Sequence, residues 1–264
     1  MATDIVTVCL TPVDPEKVLE SLTAALAPYD QNSDSDEGGF EWRGEWDWWH
    51  IFGGDGDKGL PVLPNFDCDP RLIRVPVYRN GDRRKRFPLR CDGGPRRLLD
   101  FDADRSSVAA RASDTWENLW SLSRKSEKAT SLRAFFDRCI ESPQYSAQQA
   151  RSEYLLQPFV RAVSDSGILG GLAVVQESQD PVSWLELGIE QFVRREVSRA
   201  LPTGALVTVE GEWVDDSVDN STAESPIEMV RRSNARNLEY MRFADEYLEN
   251  LDGDVVVVRV LYHS

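Results

Sequence analysis

Three stretches of this chain carry residue types that could do chemistry. In the first, Trp42, Trp46, Trp48 and Trp49 fall within eight residues, and the run Trp46-Asp47-Trp48-Trp49-His50 mixes indoles with a carboxylate and an imidazole. Such a row could stack on a planar base, an interaction worth roughly 1–3 kcal/mol per base, with Asp47 or His50 as the polar anchor. The plainer use of the same residues is as core, alternate indoles turning inward and their N–H groups finding acceptors. The second stretch, Arg83-Arg84-Lys85-Arg86, is a compact cationic run suited to a phosphate or an acidic partner, or else the solvated end of a hairpin. In the third, Asp100, Asp102 and Asp104 alternate. On a strand they would share a face and could hold Mg²⁺; at the start of a helix they would stabilise its dipole without any metal.

Other chemistries find less support. His50 and His263 are the only histidines, and neither accompanies a Gly-x-Ser-x-Gly elbow or a comparable nucleophile context. Cys9, Cys68, Cys91 and Cys139 form no close pair, whereas a structural zinc site usually takes two. Cys9 in a strand and Cys139 on an apolar helix face read as small hydrophobes, reduced in a cytoplasm. The paired glycines make no G-x-G-x-x-G or P-loop sequence. The residues therefore assign no catalytic group, and neither a metal nor a cofactor is expected.

The elements that would position these groups follow from periodicity and end signals. Asp4 to Leu10 reads as a strand. Asp14 and Pro15 open a helix with Val18, Leu19, Leu22 and Leu26 on one face, and Pro28 stops it. Trp42 to Phe52 reads as a strand ending at Gly53-Gly54. Residues 60–98 predict a short strand near Leu72 to Tyr78 and an Asn80-Gly81 hairpin turn. Helical spacing takes over from Asp102, through Val108, Ala112, Trp116, Leu119 and Trp120. It is clearest in Leu132, Phe135, Phe136, Cys139 and Ile140. Ser146 with Gln149 predicts a capping box, Pro158 a break, and Asp180-Pro181 a further helix through Leu185, Ile189, Phe192, Val193 and Val197. Ala205 to Val214 then reads as a strand. A last helix starts at Ser225-Pro226-Ile227-Glu228, with Val230, Leu238, Met241 and Leu248 inward, and Val255 to Tyr262 is the final strand.

The predicted fold class is α/β (α+β): a mixed β-sheet joining the N- and C-terminal parts, flanked by helices, with a helical insertion in the middle. Residues 1–264 are expected to form a single domain. Within it, 1–98 carries the strands, the aromatic segment and the basic hairpin, 99–200 is mainly helical, and 201–264 is a β-α-β part completing the sheet.

Composition narrows the function classes. Hydrophobic residues make up 41% and there are eight Trp, ample for a packed core. No apolar run approaches the ~20 residues that span a bilayer, so no membrane partner is expected. The N-terminus lacks a basic region followed by an apolar stretch, which predicts a cytoplasmic location. A net charge of −15 argues against general nucleic-acid binding. The charge is segregated: nine acids and one Arg between Asp30 and Asp57, ten basic residues and two acids between Arg71 and Arg97. These opposite blocks are expected to dock on each other, with a phosphate or acidic partner for the basic one as the alternative.

Several segments together resemble an uncharacterised family of actinobacterial and actinobacteriophage proteins with a Trp-Asp-Trp-Tyr/Trp-x-Ile-Gly-Gly motif. The segments are Ala27-Pro28-Tyr29-Asp30-Gln31-Asn32, Trp46-Asp47-Trp48-Trp49-His50-Ile51-Phe52-Gly53-Gly54, Cys91-Asp92, Leu99-Asp100-Phe101-Asp102-Ala103, Tyr154 with Gln157-Pro158, Ala205 to Trp213, and a C-terminal strand closing with His263. The chain departs from that pattern by the extra Phe52, by Asp55-Gly56 where the family has Arg-Trp, and by lacking a Gly-Trp-rich turn after Trp213. The resemblance implies a phage or phage-derived accessory role, in the host cytoplasm if phage-encoded, and carries no established activity. The leading expectation is a non-catalytic binding or inhibitor protein acting on a host protein. The alternatives are a nucleotide-binding enzyme or sensor using the Trp-rich segment, with a small nucleotide as ligand, and an acidic DNA mimic.

Overall fold

The computed structural model describes residues 3–32, 44–53, 58–76, 78–79, 82–83, 88–142, 144–169, 177–218, 221–223 and 225–263, with the backbone alone at 78, 79, 82 and 83. In chain order the elements begin with β1 (Thr3–Leu10), α1 (Val18–Leu26), β2 (Trp48–Ile51), β3 (Leu60–Pro61), β4 (Tyr78–Arg79), β5 (Asp82–Arg83), β6 (Arg90–Cys91) and β7 (Gly93–Pro95). Six helices follow: α2 (Phe101–Ser123), α3 (Leu132–Glu141), α4 (Ala147–Leu156), α5 (Pro158–Ser166), α6 (Pro181–Leu187) and α7 (Ile189–Val197). The chain then forms β8 (Ala205–Val207), β9 (Trp213–Asp215), α8 (Pro226–Glu249) and β10 (Val256–His263). The fold is mixed α+β, with parallel and antiparallel pairing in one sheet flanked by helices, as the sequence predicts. No helix among the described residues is long and apolar enough to cross a membrane.

The chain divides into two compact units. One comprises Met1–Asp104, Leu201–Ser217 and Asn237–Ser264; the other comprises Arg105–Ala200 and Val218–Arg236.

The first unit is built on the sheet, in strand order β2-β10-β1-β8-β9, with β7 also paired to β10. β1 and β10 run antiparallel over their whole length, from Thr3 opposite His263 to Leu10 opposite Val256, while β8 lies parallel to β1. Alternation sends Val6, Val8 and Leu10 to the same core as Val256, Val258 and Val260, where Val18, Leu22 and Leu26 of α1 meet them. Each such side chain contributes about 1.5–3 kcal/mol on burial. The opposite faces of these two strands are buried as well: Thr7, Cys9, Val257 and Arg259 are all shielded from solvent. Burial on both faces explains why Val255 to Val258 is continuously apolar instead of alternating. Arg259 donates from Nη2 to Leu201 O at 3.0 Å and from Nη1 to Lys58 O. Gly93 of β7 lies so close to β10 that a Cβ there would sit 2.6 Å from Val257 O.

The second unit is helical. Its core gathers Leu119, Leu132, Phe135, Phe136, Tyr154 and Phe159 among others. At its centre the buried Asp180 carboxylate accepts four hydrogen bonds: Tyr154 Oη at 2.7 Å and Val182 N at 2.9 Å on Oδ1, Leu132 N at 2.8 Å and Ser183 Oγ at 2.7 Å on Oδ2. Asp180 thus caps α6 and also ties the starts of α3 and α6 to α4. Ser146 and Gln149 form the expected capping box on α4, and Pro158 begins α5 after an extended Gln157.

Several predicted elements differ in detail. Leu19 is 60% exposed, because the buried stripe of α1 is Val18, Leu22 and Leu26, an i, i+4, i+8 row that leaves it outside. The helix opened at Asp180-Pro181 divides into α6 and α7 at Gly188, whose φ of +78° no other residue adopts readily. The strand expected over 205–214 is instead the hairpin β8–β9, turned by Thr208 N donating to Glu212 O and Gly211 N to Thr208 O. In α8 the buried stripe is Tyr240, Ala244 and Leu248, whereas Val230 is exposed.

Candidate functional site: an aromatic ladder at the sheet edge

Alternation along β2 separates the aromatic run into an inner and an outer set. Trp46, just before the strand, is buried, and its Nε1 donates to Leu26 O at 3.0 Å. Trp49 packs against the same core, its ring edge-on to Trp46 at 6.5 Å. These two indoles serve the core. Trp48 and His50 take the outer face, and Trp48 is 43% exposed. The strand itself is shorter than the sequence suggests: residues 44–47 lead into it by turns and a single bridge between Asp30 and Trp46, and Trp42 lies outside the described residues.

The outer pair is extended from the other end of the chain. β10 pairs with β2 so that His263 stands opposite Trp48 and Leu261 opposite His50. The Trp48 indole is therefore near-parallel to two imidazoles, that of His50 at 5.7 Å and 4° and that of His263 at 5.6 Å and 7°. Asp47 accepts at Oδ1 from His263 Nδ1 at 2.7 Å, and its backbone N–H donates to His263 O at 2.9 Å. The His50 Nδ1 lies 2.8 Å from Ile51 O. His263 enters the site through long-range strand pairing, which local periodicity does not register.

A second layer holds this ladder. Glu45 N and Trp46 N both donate to Tyr29 O, Gln31 N donates to Trp46 O, and Asn32 Nδ2 donates to Asp47 O at 3.0 Å. Tyr29 Oη in turn accepts from Trp213 N at 2.9 Å and donates to Gly211 O. Trp213 packs edge-on to Tyr262 at 5.4 Å. Burial, reinforced by Asp215, raises the Glu45 carboxyl above its usual range. Burial, with the carboxylates of Asp4 and Asp215, likewise raises the Tyr262 phenol.

The basic run is only partly described. Arg83 lies in β5, antiparallel to β4, and the strands flanking Asn80-Gly81 pair as a hairpin; Arg84, Lys85, Arg86 and the turn itself lie outside the described residues. Arginines around it form ion pairs: Arg71 with Asp69, Arg74 with Asp67, Arg90 with Asp104 and, from the far end of the chain, Arg97 with Asp254. Docking of the acidic block on the basic one falls outside the described residues, which hold only Asp30, Glu45 and Asp47 of the nine acids.

Asp100, Asp102 and Asp104 begin α2 and do not lie on a strand. Asp100 Oδ1 accepts from Ala103 N at 3.1 Å, and Asp104 takes both arms of Arg90 at 2.6 and 2.8 Å. Among the described residues no group of three or more His, Cys, Asp or Glu is placed to hold a metal ion. Cys9 is buried and Cys139 half-buried, and burial raises both thiols, which disfavours the nucleophilic thiolate.

No protein-family model matches the chain, nor does any curated protein or any solved structure. An Asp–His pair orients an imidazole, but the ring beside that imidazole is an indole, which supplies neither a nucleophile nor a proton. What the arrangement offers is a rigid, half-exposed aromatic surface with carboxylates beside it.

Proposed function

We propose that the chain is a non-catalytic binding or inhibitor protein of the phage accessory type, which engages a host protein through the Trp48 ladder and the acidic surface beside it. The observation that carries this reading is the exposure of Trp48 between fixed neighbours. An indole held by two near-parallel imidazoles loses little conformational entropy on binding, and large preorganised aromatics dominate the energetics of protein interfaces. The net charge of −15 favours a basic partner surface and speeds encounter with it. The resemblance to actinobacterial and actinobacteriophage proteins supports a host protein as that partner.

Stacking of a nucleotide base fits this geometry less well. Trp46 and Trp49 are turned to the core, and the Trp48 ring is already stacked with imidazoles.

The test is affinity capture on purified wild-type protein and on Trp48→Ala, both first shown to be folded. A stoichiometric host protein retained by the wild type, released by salt and lost with Trp48→Ala supports the proposal. If that partner is a DNA-binding enzyme displaced by DNA, the acidic-mimic reading takes precedence. A folded Trp48→Ala that retains every partner of the wild type overturns the role given to the ladder.

A further inference from the structure

The helical unit contains a cavity of about 430 Å³, within the ~300–1,000 Å³ range of small-molecule sites. Two helices supply its walls at one-face spacing, with Val108, Arg111, Ala112 and Thr115 from α2, and Phe192 and Glu196 from α7. Ala112 and Thr115 are small, which is why space remains between the helices. The space is a property of the unit by itself, since every lining residue belongs to it.

The aromatic wall is fixed in place. Trp184 Nε1 donates to Ser178 O at 3.0 Å, and its own carbonyl accepts from Trp116 Nε1 at 3.2 Å. Its ring meets Phe192 at 5.3 Å, and the Arg195 guanidinium lies over both rings, 5.3 Å from one and 5.2 Å from the other. Burial lowers the Arg195 pKa, which Glu196 opposes. Arg195 also takes the Glu196 carboxylate, with Nε at 3.0 Å and Nη2 at 2.8 Å from Oε1, so the acid on this wall is neutralised from outside the cavity.

Besides Thr115 and Glu196, three polar side chains line the cavity: Arg199, which has partners of its own, Arg111 and Gln179. Arg111 stands on the exposed rim and donates to the neutral hydroxyl of Ser107 at 2.7 Å, which leaves its charge uncompensated by that bond. Gln179 lines the cavity, and its Oε1 is buried with no hydrogen-bond partner among the described residues. A buried acceptor without a donor is a standing cost of about 1–3 kcal/mol, relieved when the side chain turns to meet the N–H or O–H of a ligand.

We propose that this cavity binds a small, flat aromatic anion that carries a hydrogen-bond donor: the ring against Trp184 and Phe192, the anionic group at Arg111, the donor on Gln179 Oε1. This site is separate from the Trp48 ladder, and its test is independent of partner capture.

Anilinonaphthalene sulfonate has all three elements, and N-phenyl naphthylamine lacks only the sulfonate. Each is titrated into the purified full chain while tryptophan-sensitised probe emission is followed. Expected is saturation at one equivalent of the sulfonate, with the amine weaker by about tenfold, the effect of one charge-assisted contact. Arg111→Gln should bring the sulfonate down to the amine and leave the amine unchanged. Gln179→Leu should weaken both probes, and Ala112→Leu, which fills the cavity, should abolish both. Absence of saturable binding, equal affinity for the two probes, or a sulfonate titration unchanged by Arg111→Gln overturns the proposal. If Ala112→Leu does not fold, the rim variant Arg111→Gln still decides.

Discussion

The imidazole of His263 lies parallel to the indole of Trp48, 5.6 Å between ring centres, and is held there by the carboxylate of Asp47 at 2.7 Å. A residue from the last strand thereby sets the geometry of an aromatic group placed early in the chain. His263→Ala removes both contacts. It should lower unfolding stability by about 1 kcal/mol, the size of one half-exposed pair and one ring contact. His263→Phe, which keeps the ring and loses the Asp47 bond, should fall between wild type and His263→Ala in urea denaturation. A loss well above this range would mean that the ladder is core and not surface.

Asp180 accepts four hydrogen bonds in a buried setting, so its removal leaves four donors without an acceptor. Asp180→Ala should destabilise the helical unit by at least ~3 kcal/mol, and Tyr154→Phe, which removes one donor only, by ~1–2 kcal/mol. Chemical denaturation followed by far-UV circular dichroism distinguishes the two. Equal effects would show that the carboxylate matters only through Tyr154.

Much of this architecture is legible in the sequence, and the reasons differ by element. The Asp180-Pro181 start, the Ser146/Gln149 box and the Leu132, Phe135, Phe136 stripe are local patterns, and local patterns survive into the fold. Gly188 and the 208–212 turn escape notice because apolar periodicity continues across both, whereas the backbone conformation that interrupts it depends on tertiary packing. At the candidate site, the residues 46–50 are visible as a cluster. Their division into inner Trp46 and Trp49 and outer Trp48 and His50 requires the strand phase, and the arrival of His263 requires the pairing of β2 with β10. The helical cavity has no sequence signal beyond two small residues, Ala112 and Thr115, on an otherwise ordinary helix face.

Gly93 is required by proximity to another strand. A Cβ would meet Val257 O at 2.6 Å and Val258 Cα at 3.0 Å, both backbone atoms that cannot turn aside as a side chain can. Gly93→Ala should force β7 away from β10 and lower stability by about 2 kcal/mol or more, measured by thermal or urea unfolding. A neutral result would mean that β7 can shift without loss.

Four tyrosines give the protein an alkaline limit. Burial, with a carboxylate nearby, pushes the Tyr247 phenol up to about 12, and Tyr154, Tyr240 and Tyr262 are raised in the same direction. In the unfolded chain these groups ionise near ~10. Above that pH the unfolded state binds fewer protons than the folded one, so their contribution is complete below pH ~10 and is lost as the pH rises toward 12. Phenolate absorbance and circular dichroism followed over this window should change together. If all seven tyrosines titrate near ~10 in a chain that stays folded, the expectation fails.

β10 pairs with β1, β2 and β7, so three strands from the first hundred residues depend on one that is synthesised long after them. On the ribosome, those earlier segments emerge with their ladder N–H and C=O groups unmet and Val6, Val8 and Trp46 uncovered. Helices of the other unit can form by local contacts while translation continues; the sheet waits until residue 263 leaves the exit tunnel. The interval makes the nascent chain a natural client of holding chaperones, and a chain truncated before β10 keeps that edge of β1 open.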